Sequence, residues 1–209
     1  MKILVRAPNW VGDAVMAIPA LQAIRNARPE AEIFILARPA VAETLSGQPF
    51  ADKVLPYEFR GRHGGWLGRE RLIAELRSEK FGTAVFLQNA FEAAWLAWRA
   101  GIPERIGYAR DARGPLLTKA IRVPQEAEIP KHESYYYIEL LRRAGWTEGK
   151  TEIQPIRLHV NESSRAAAES LLRKAGAREN SWRCESLLAL PMAPPNAGPR
   201  NDLRCWPTA

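Results

Sequence analysis

Lys2-Ile3-Leu4-Val5-Arg6-Ala7-Pro8-Asn9-Trp10-Val11-Gly12-Asp13-Ala14-Val15 is the stretch on which the fold turns. Ile3, Leu4 and Val5 form a short apolar run of strand type, and Val15, Ile18, Leu21 and Ile24 then recur at the spacing of one helical face over residues 14–28. Pro8, Asn9 and Gly12 break the chain between the two. A strand that turns directly into a helix opens a βαβ unit. In open α/β sheets ligands gather at the carboxyl ends of the strands, so this turn should face a crevice. It lacks G-x-G-x-x-G, which argues against a dinucleotide cofactor.

The same alternation continues outward. Residues 32–37, 53–57, 83–88 and 105–108 have strand character, and 39–46, 69–80 and 91–100 have helical character. The pattern predicts an α/β fold with a mostly parallel, doubly wound sheet. An irregular segment at 109–130 contains the breakers Gly114, Pro115, Pro124 and Pro130, and 131–144 then reads as a helix ended by Gly145. Residues 156–160 are strand-like, and Asn161 can cap a helix to about residue 175. The first domain is expected to span 1–150, with 151–180 as an interdomain segment opening a second.

With 46% hydrophobic and 25% charged residues the chain is a globular protein, and its net charge of +7 favours an anionic partner: phosphorylated sugar, lipid headgroup or nucleic acid. No interleaved basic and aromatic platform supports nucleic acid. No apolar run approaches the roughly 20 residues of a membrane span, and no secretory signal opens the chain, so a cytoplasmic protein is expected. Cys184 and Cys205 make no disulfide framework, and His63, His132 and His159 have no ligand spacing, so no metal is expected.

Asp13 carries two readings. It can satisfy free N–H groups at the start of the helix, or, at the mouth of a crevice, take a proton from a hydroxyl. Gly12 would let a ligand approach the backbone, with Asn9 and Trp10 beside it. Residues 60–71 hold four glycines, four arginines, His63 and Trp66, the composition of a mobile anion-binding flap. Arg60, Arg62 and Arg69 there, with Lys131 and His132 at a helix start, are candidates for phosphate and carboxylate groups; solvated surface is the alternative for each. Tyr135, Tyr136 and Tyr137 suit helix packing better than a sugar platform.

Residues 2–21 resemble the ADP-heptose:lipopolysaccharide heptosyltransferases of glycosyltransferase family 9, closest to their heptosyltransferase II branch. Weaker similarity runs through Pro103-Glu104-Arg105-Ile106-Gly107-Tyr108, Arg113-Gly114-Pro115-Leu116-Leu117 and residues 132–137, and covers roughly 1–176. The resemblance implies a GT-B architecture of two Rossmann-like domains. It implies heptose transfer from ADP-heptose to the lipopolysaccharide inner core with inversion, and peripheral contact with the cytoplasmic face of the inner membrane. By the same resemblance Asp13, in the Gly-Asp turn, is the general base, and most contacts to the departing diphosphate belong to the second domain.

Beyond residue 180 the pattern breaks. Five of the sixteen prolines fall in the last nineteen residues, Pro191, Pro194, Pro195, Pro199 and Pro207. When each codon takes the last base of one residue and the first two of the next, Met192-Ala193 forces glycine, Cys205-Trp206 leucine and Trp206-Pro207 alanine. Residues 187–209 can then encode P-G-A-A-Y-G-T-A-K-R-W, followed by P-P-E-R-F-A, which resembles the segment opening the second domain in the same family. The expectation is a frame change near 180–186, an aberrant tail at 181–209, and a chain without transfer activity of its own. A non-catalytic Rossmann-like module binding a phosphorylated sugar or anionic lipid is the alternative.

Overall fold

The computed structural model describes residues 1–147, 153, 155–160 and 162–174. The tail at 181–209 and much of 148–154 lie outside them. The chain divides into two compact units, Met1–His159 and Val160–Ala209. From the second, the helix Glu162–Lys174 is described.

In the first unit six strands, β1 (Lys2–Arg6), β2 (Glu32–Ala37), β3 (Lys53–Pro56), β4 (Thr83–Phe86), β5 (Glu104–Tyr108) and β6 (Lys119–Ile121), form one sheet in the order β3-β2-β1-β4-β5-β6. Every pairing is parallel. The strand order reverses between β1 and β4, so their carboxyl ends bound the crevice that this topology creates. Helices α1 (Val11–Met16), α2 (Ile18–Ala27), α3 (Pro39–Leu45), α4 (Gly65–Ser78), α5 (Phe91–Arg99) and α6 (Glu133–Arg143) cover both faces.

The strands are apolar along their length because both faces are buried. Alternate residues go to opposite sides. Ile3, Val5, Ile33, Ile35, Val85 and Ile106 meet Ile18, Leu21, Ile24, Val41, Leu140 and Leu141. Leu4, Phe34, Leu36, Ala84 and Phe86 meet Leu72, Ile73, Leu76, Ala94 and Leu96. Each large aliphatic side chain so buried contributes about 1.5–3 kcal/mol.

Four local expectations are corrected. The helix expected over 14–28 begins earlier and is broken at Ala17, which ends α1 and caps α2. Pro19, near the start of α2, has no N–H to give the carbonyl one turn back, so one continuous helix would leave that carbonyl unpaired. The irregular segment 109–130 contains β6 and a short 3-10 turn, Gly114–Leu116. Residues 155–160 form no strand, although the Gln48 side chain holds the backbone N–H and C=O of His159 at 2.8 and 2.9 Å.

The fourth concerns the presumed flap. α4 starts at Gly65, so Arg69 and Arg71 are helical and the connection after β3 ends at Gly64. That connection is folded on itself. The N–H groups of Gly61 and His63 both donate to Glu58 O, and Glu58 N–H donates to His63 Nδ1 at 3.1 Å. Gly68 lies against the buried His63, where a Cβ would fall 2.4 Å from its carbonyl carbon. Its glycine is needed for close packing, not for mobility.

Candidate active site at the carboxyl edge of the sheet

The crevice is built from β1 outward. The Arg6 carbonyl accepts from the N–H groups of Leu87 and Gln88, which ties the end of β1 to the end of β4. The Arg6 side chain is 3% exposed and faces the C=O groups of Ala7 and Leu36 and Asn9 Oδ1, the last at 2.9 Å. Asn9 is therefore held with its oxygen toward Arg6. Burial pushes the Arg6 guanidinium down to about 10.

On the other side of the crevice Arg113 has no exposed surface. Its Nε donates to Tyr108 O at 2.9 Å, one Nη to Gln88 O at 2.5 Å and the other to Asn89 Oδ1 at 2.9 Å. Asn89 Nδ2 donates onward to the Tyr136 hydroxyl at 3.0 Å, and the Tyr136 ring lies 4.4 Å from that of Tyr108. Arg113 reaches this place through a turn in which Asp111 and Ala112 take φ of 53° and 56°, left-handed values that cost non-glycine residues about 1 kcal/mol each. Burial pushes Arg113, too, down to about 10.

Asp13 lies in the first turn of α1, third in the helix and partly exposed. Trp10 is the N-cap residue and no side chain caps this end, so Asp13 is not the cap. Among the described residues no hydrogen bond or ion pair ties its carboxylate. It stands near Tyr137 on the adjoining α6, whose buried phenol is pushed far up by burial first, then by Glu133 and Asp13. A Cβ at Gly12 would meet nothing within 4 Å, and Trp10 is 71% exposed, so this side of the turn is open.

The remaining candidates separate. Arg62 is paired to Glu75 at 2.5 Å, and Arg69 Nε to Glu92 at 2.9 Å. Glu92 also faces Tyr57, whose phenol is pushed up to about 12 by burial and then by that carboxylate, and Arg6 lies over the Tyr57 ring at 5.4 Å. Arg69 is thus linked back to the crevice through Glu92 and Tyr57. Arg60 lies 5.3 Å from the Phe59 ring, and Arg38 lies over the same ring at 4.3 Å with its Nε buried and unpartnered. Lys131 is 84% exposed beside Glu126, and His132 caps α6, its Nδ1 accepting from Ser134 N–H. No hydrogen bond, ion pair or ring contact among the described residues joins Lys131 or His132 to the arginines after β3.

Arg38, Asn89, Arg113 and Tyr136 were not singled out as site residues in the sequence. The available signal was an arginine in Arg110-Asp111-Ala112-Arg113-Gly114-Pro115, directly after a strand. Among the described residues no group of three His, Cys, Asp or Glu could hold a metal ion.

The family model of glycosyltransferase family 9 (heptosyltransferase) matches residues 69–197. This chain belongs to glycosyltransferase family 9. Lipopolysaccharide heptosyltransferase 2 of Escherichia coli K12 is 32% identical over 129 residues, which are 61% of this chain and 36% of that protein. The protein of the same name from Salmonella typhimurium is 33% identical over 61% of this chain and 36% of its own length. The chain therefore spans about a third of these relatives. Among solved structures, the E. coli ADP-heptose lps heptosyltransferase II superposes with a TM-score of 0.66 at 26% identity, over 87% of this chain and 52% of that one. A family 9 glycosyltransferase from Veillonella parvula gives 0.74 at 21% identity, over 87% and 51%, a likeness of fold. The six-stranded parallel unit is thus a family 9 domain of GT-B type.

Proposed function

We propose that this family 9 domain is the acceptor-side half of an inverting heptosyltransferase, which moves heptose from ADP-heptose to the lipopolysaccharide inner core. The observation that carries the reading is a carboxylate, Asp13, untied among the described residues, next to open space at Gly12 on an edge of the sheet where buried arginines clamp Asn9 after β1 and Asn89 after β4. Family membership and the relatives named above supply the chemistry.

In this reading the acceptor hydroxyl attacks the anomeric carbon as Asp13 takes its proton. ADP leaves from the opposite face, held by the donor-side half. Only a base placed within hydrogen-bonding reach of that hydroxyl contributes here. Asn9, Trp10 and Gly12 border the acceptor. Arg60 is the arginine best placed to meet its phosphate groups, since Arg62 and Arg69 already face glutamates and Lys131 and His132 begin a separate helix. No described helix is long and apolar enough to cross a membrane, and a lipid-anchored acceptor calls for peripheral contact with the cytoplasmic face of the inner membrane. Residues 181–209 are proposed to be read out of frame, so transfer requires the other frame.

The test is ADP release from ADP-heptose with a heptose-bearing acceptor. It compares the 209-residue chain with a version continued in the alternative frame from residue 180, after the gene is resequenced around codons 178–190. Turnover in the second and none in the first is expected. Equal turnover would overturn the frame argument, and none in a folded second version would overturn the proposed reaction.

A further inference from the structure

Helix α5 turns its alanines and Leu96 inward and leaves Phe91 and Trp98 outward, with Trp95 partly buried between them. Ala93, Ala94, Leu96 and Ala97 are buried against the sheet, while Phe91 is 47% and Trp98 50% exposed. Phe91, Trp95 and Trp98 stand at i, i+4 and i+7, one face of a helix. α4 extends this face, because the Trp66 ring lies 6.2 Å from that of Trp95, and Trp66 and Leu67 are 61% and 81% exposed. Burial of apolar side chains disfavours leaving Trp66, Leu67, Phe91 and Trp98 exposed together, so this patch marks a surface with a partner.

The charges around the stripe select the partner. Residues 60–75 and 91–99 contain Arg60, Arg62, Arg69, Arg71 and Arg99 against Glu70, Glu75 and Glu92, five positive charges to three negative. Arg99 pairs with Glu70, Arg69 with Glu92 and Arg62 with Glu75, which leaves Arg60 and Arg71 without a carboxylate partner among the described residues. Arg99 also lies over the Trp95 ring at 5.4 Å. Tryptophan and phenylalanine beside arginines that outnumber the acids is the chemistry of a surface that settles at the headgroup level of a negatively charged bilayer.

We propose that the stripe Phe91, Trp95 and Trp98 on α5, with Trp66 and Leu67 on α4, docks this domain on an anionic phospholipid bilayer. The assignment rests on the membrane-peripheral reading above and not on the catalytic one. Arginine stems lie along the apolar surface while their heads reach lipid phosphates, and the rings enter the acyl boundary. The carboxyl edge of the sheet, where α4 and α5 begin, then comes close to the membrane surface.

The test is vesicle flotation of the 209-residue chain with phosphatidylcholine alone and with phosphatidylcholine containing phosphatidylglycerol, neither holding lipopolysaccharide. Binding to the anionic vesicles is expected. Because the three side chains are exposed, Trp66→Ala/Leu67→Ala/Trp98→Ala should keep the fold by circular dichroism and weaken partitioning about tenfold or more. Raising salt from about 0.1 to 0.5 M should weaken the parent several-fold, since the arginine contribution is screened. Partitioning within twofold of the parent for the folded triple variant would overturn the proposal. So would a parent that binds neither vesicle but sediments as a dimer that the triple variant dissolves, which would assign the stripe to a second copy. Heptose transfer does not enter this readout, so its failure leaves the lipid assignment standing or falling by itself.

Discussion

Arg113 Nη2 donates to Asn89 Oδ1 at 2.9 Å from a side chain with no exposed surface, so the turn after β5 fixes the residue that follows β4. Arg6 does the same for Asn9 after β1. Both guanidiniums are buried against carbonyl and amide oxygens, with no carboxylate among their hydrogen-bond partners in the described residues. Such an arrangement spends stability on orientation: a buried cation is costly, and its return is two amide side chains held on either side of the switch point.

Arg113→Ala is expected to lower stability by about 3 kcal/mol or more, because it leaves buried oxygens on Tyr108, Gln88 and Asn89 without donors. Arg113→Lys keeps the charge but cannot span all three, and should recover only part of the loss. Urea denaturation of the 209-residue chain measures both. Two variants as stable as the parent would show that the network does not hold this edge.

Gly68→Ala is expected to destabilise the domain by about 1–3 kcal/mol, although alanine is the better helix former by about 1 kcal/mol. The added Cβ would meet the His63 backbone at 2.4 Å, and neither backbone can yield cheaply. Gly12→Ala, where the space is open, should leave stability nearly unchanged. A stabilised Gly68→Ala would mean that the loop after β3 is free to move after all.

Glu139 supplies an acid limb to stability. Its carboxylate accepts from Arg142 Nε and Nη2, both at 2.7 Å, and from Arg143 Nε at 2.6 Å. The Arg142 hydrogen bonds, with Arg143 behind them, hold it below the ordinary 4.5 of a glutamate. A lowered folded-state value stabilises above 4.5 and loses that contribution as pH falls below it. Urea midpoints at pH 6 and pH 4 should therefore differ less in Glu139→Gln than in the parent. Equal pH dependence in the two proteins would remove Glu139 from the acid response.

The sheet was legible because buried parallel strands are near-continuous apolar runs, as in Ile3-Leu4-Val5 and Thr83-Ala84-Val85-Phe86. β6 was not, because Lys119-Ala120-Ile121 is an edge strand of three residues with no pattern of its own. The start of α4 was hidden for a different reason. Glycines at 61, 64, 65 and 68 read as mobility, whereas Gly68 is a packing contact that depends on His63 being buried. Within the site, the exposed Gly-Asp turn was legible from its place between strand and helix. Arg113 and Asn89 were not, since only folding brings residues that far apart into one network.

Asp13→Asn tests the chemistry most directly. In a version continued in the alternative frame, the variant should keep the parent's stability within about 0.5 kcal/mol, because Asp13 is not the cap and, among the described residues, no hydrogen bond or ion pair ties its carboxylate. An amide keeps the size of the side chain but cannot accept the proton of the attacking hydroxyl. The loss should therefore fall on kcat, by a factor of about 100 to 10,000, with KM for the acceptor little changed. A purely structural residue would lower stability and turnover together. Asp13→Ala should be as inactive as Asp13→Asn, because what both lack is a base. Turnover within about threefold of the parent in the folded asparagine variant would take the proton-transfer role away from Asp13 and leave it as a solvated first-turn acid.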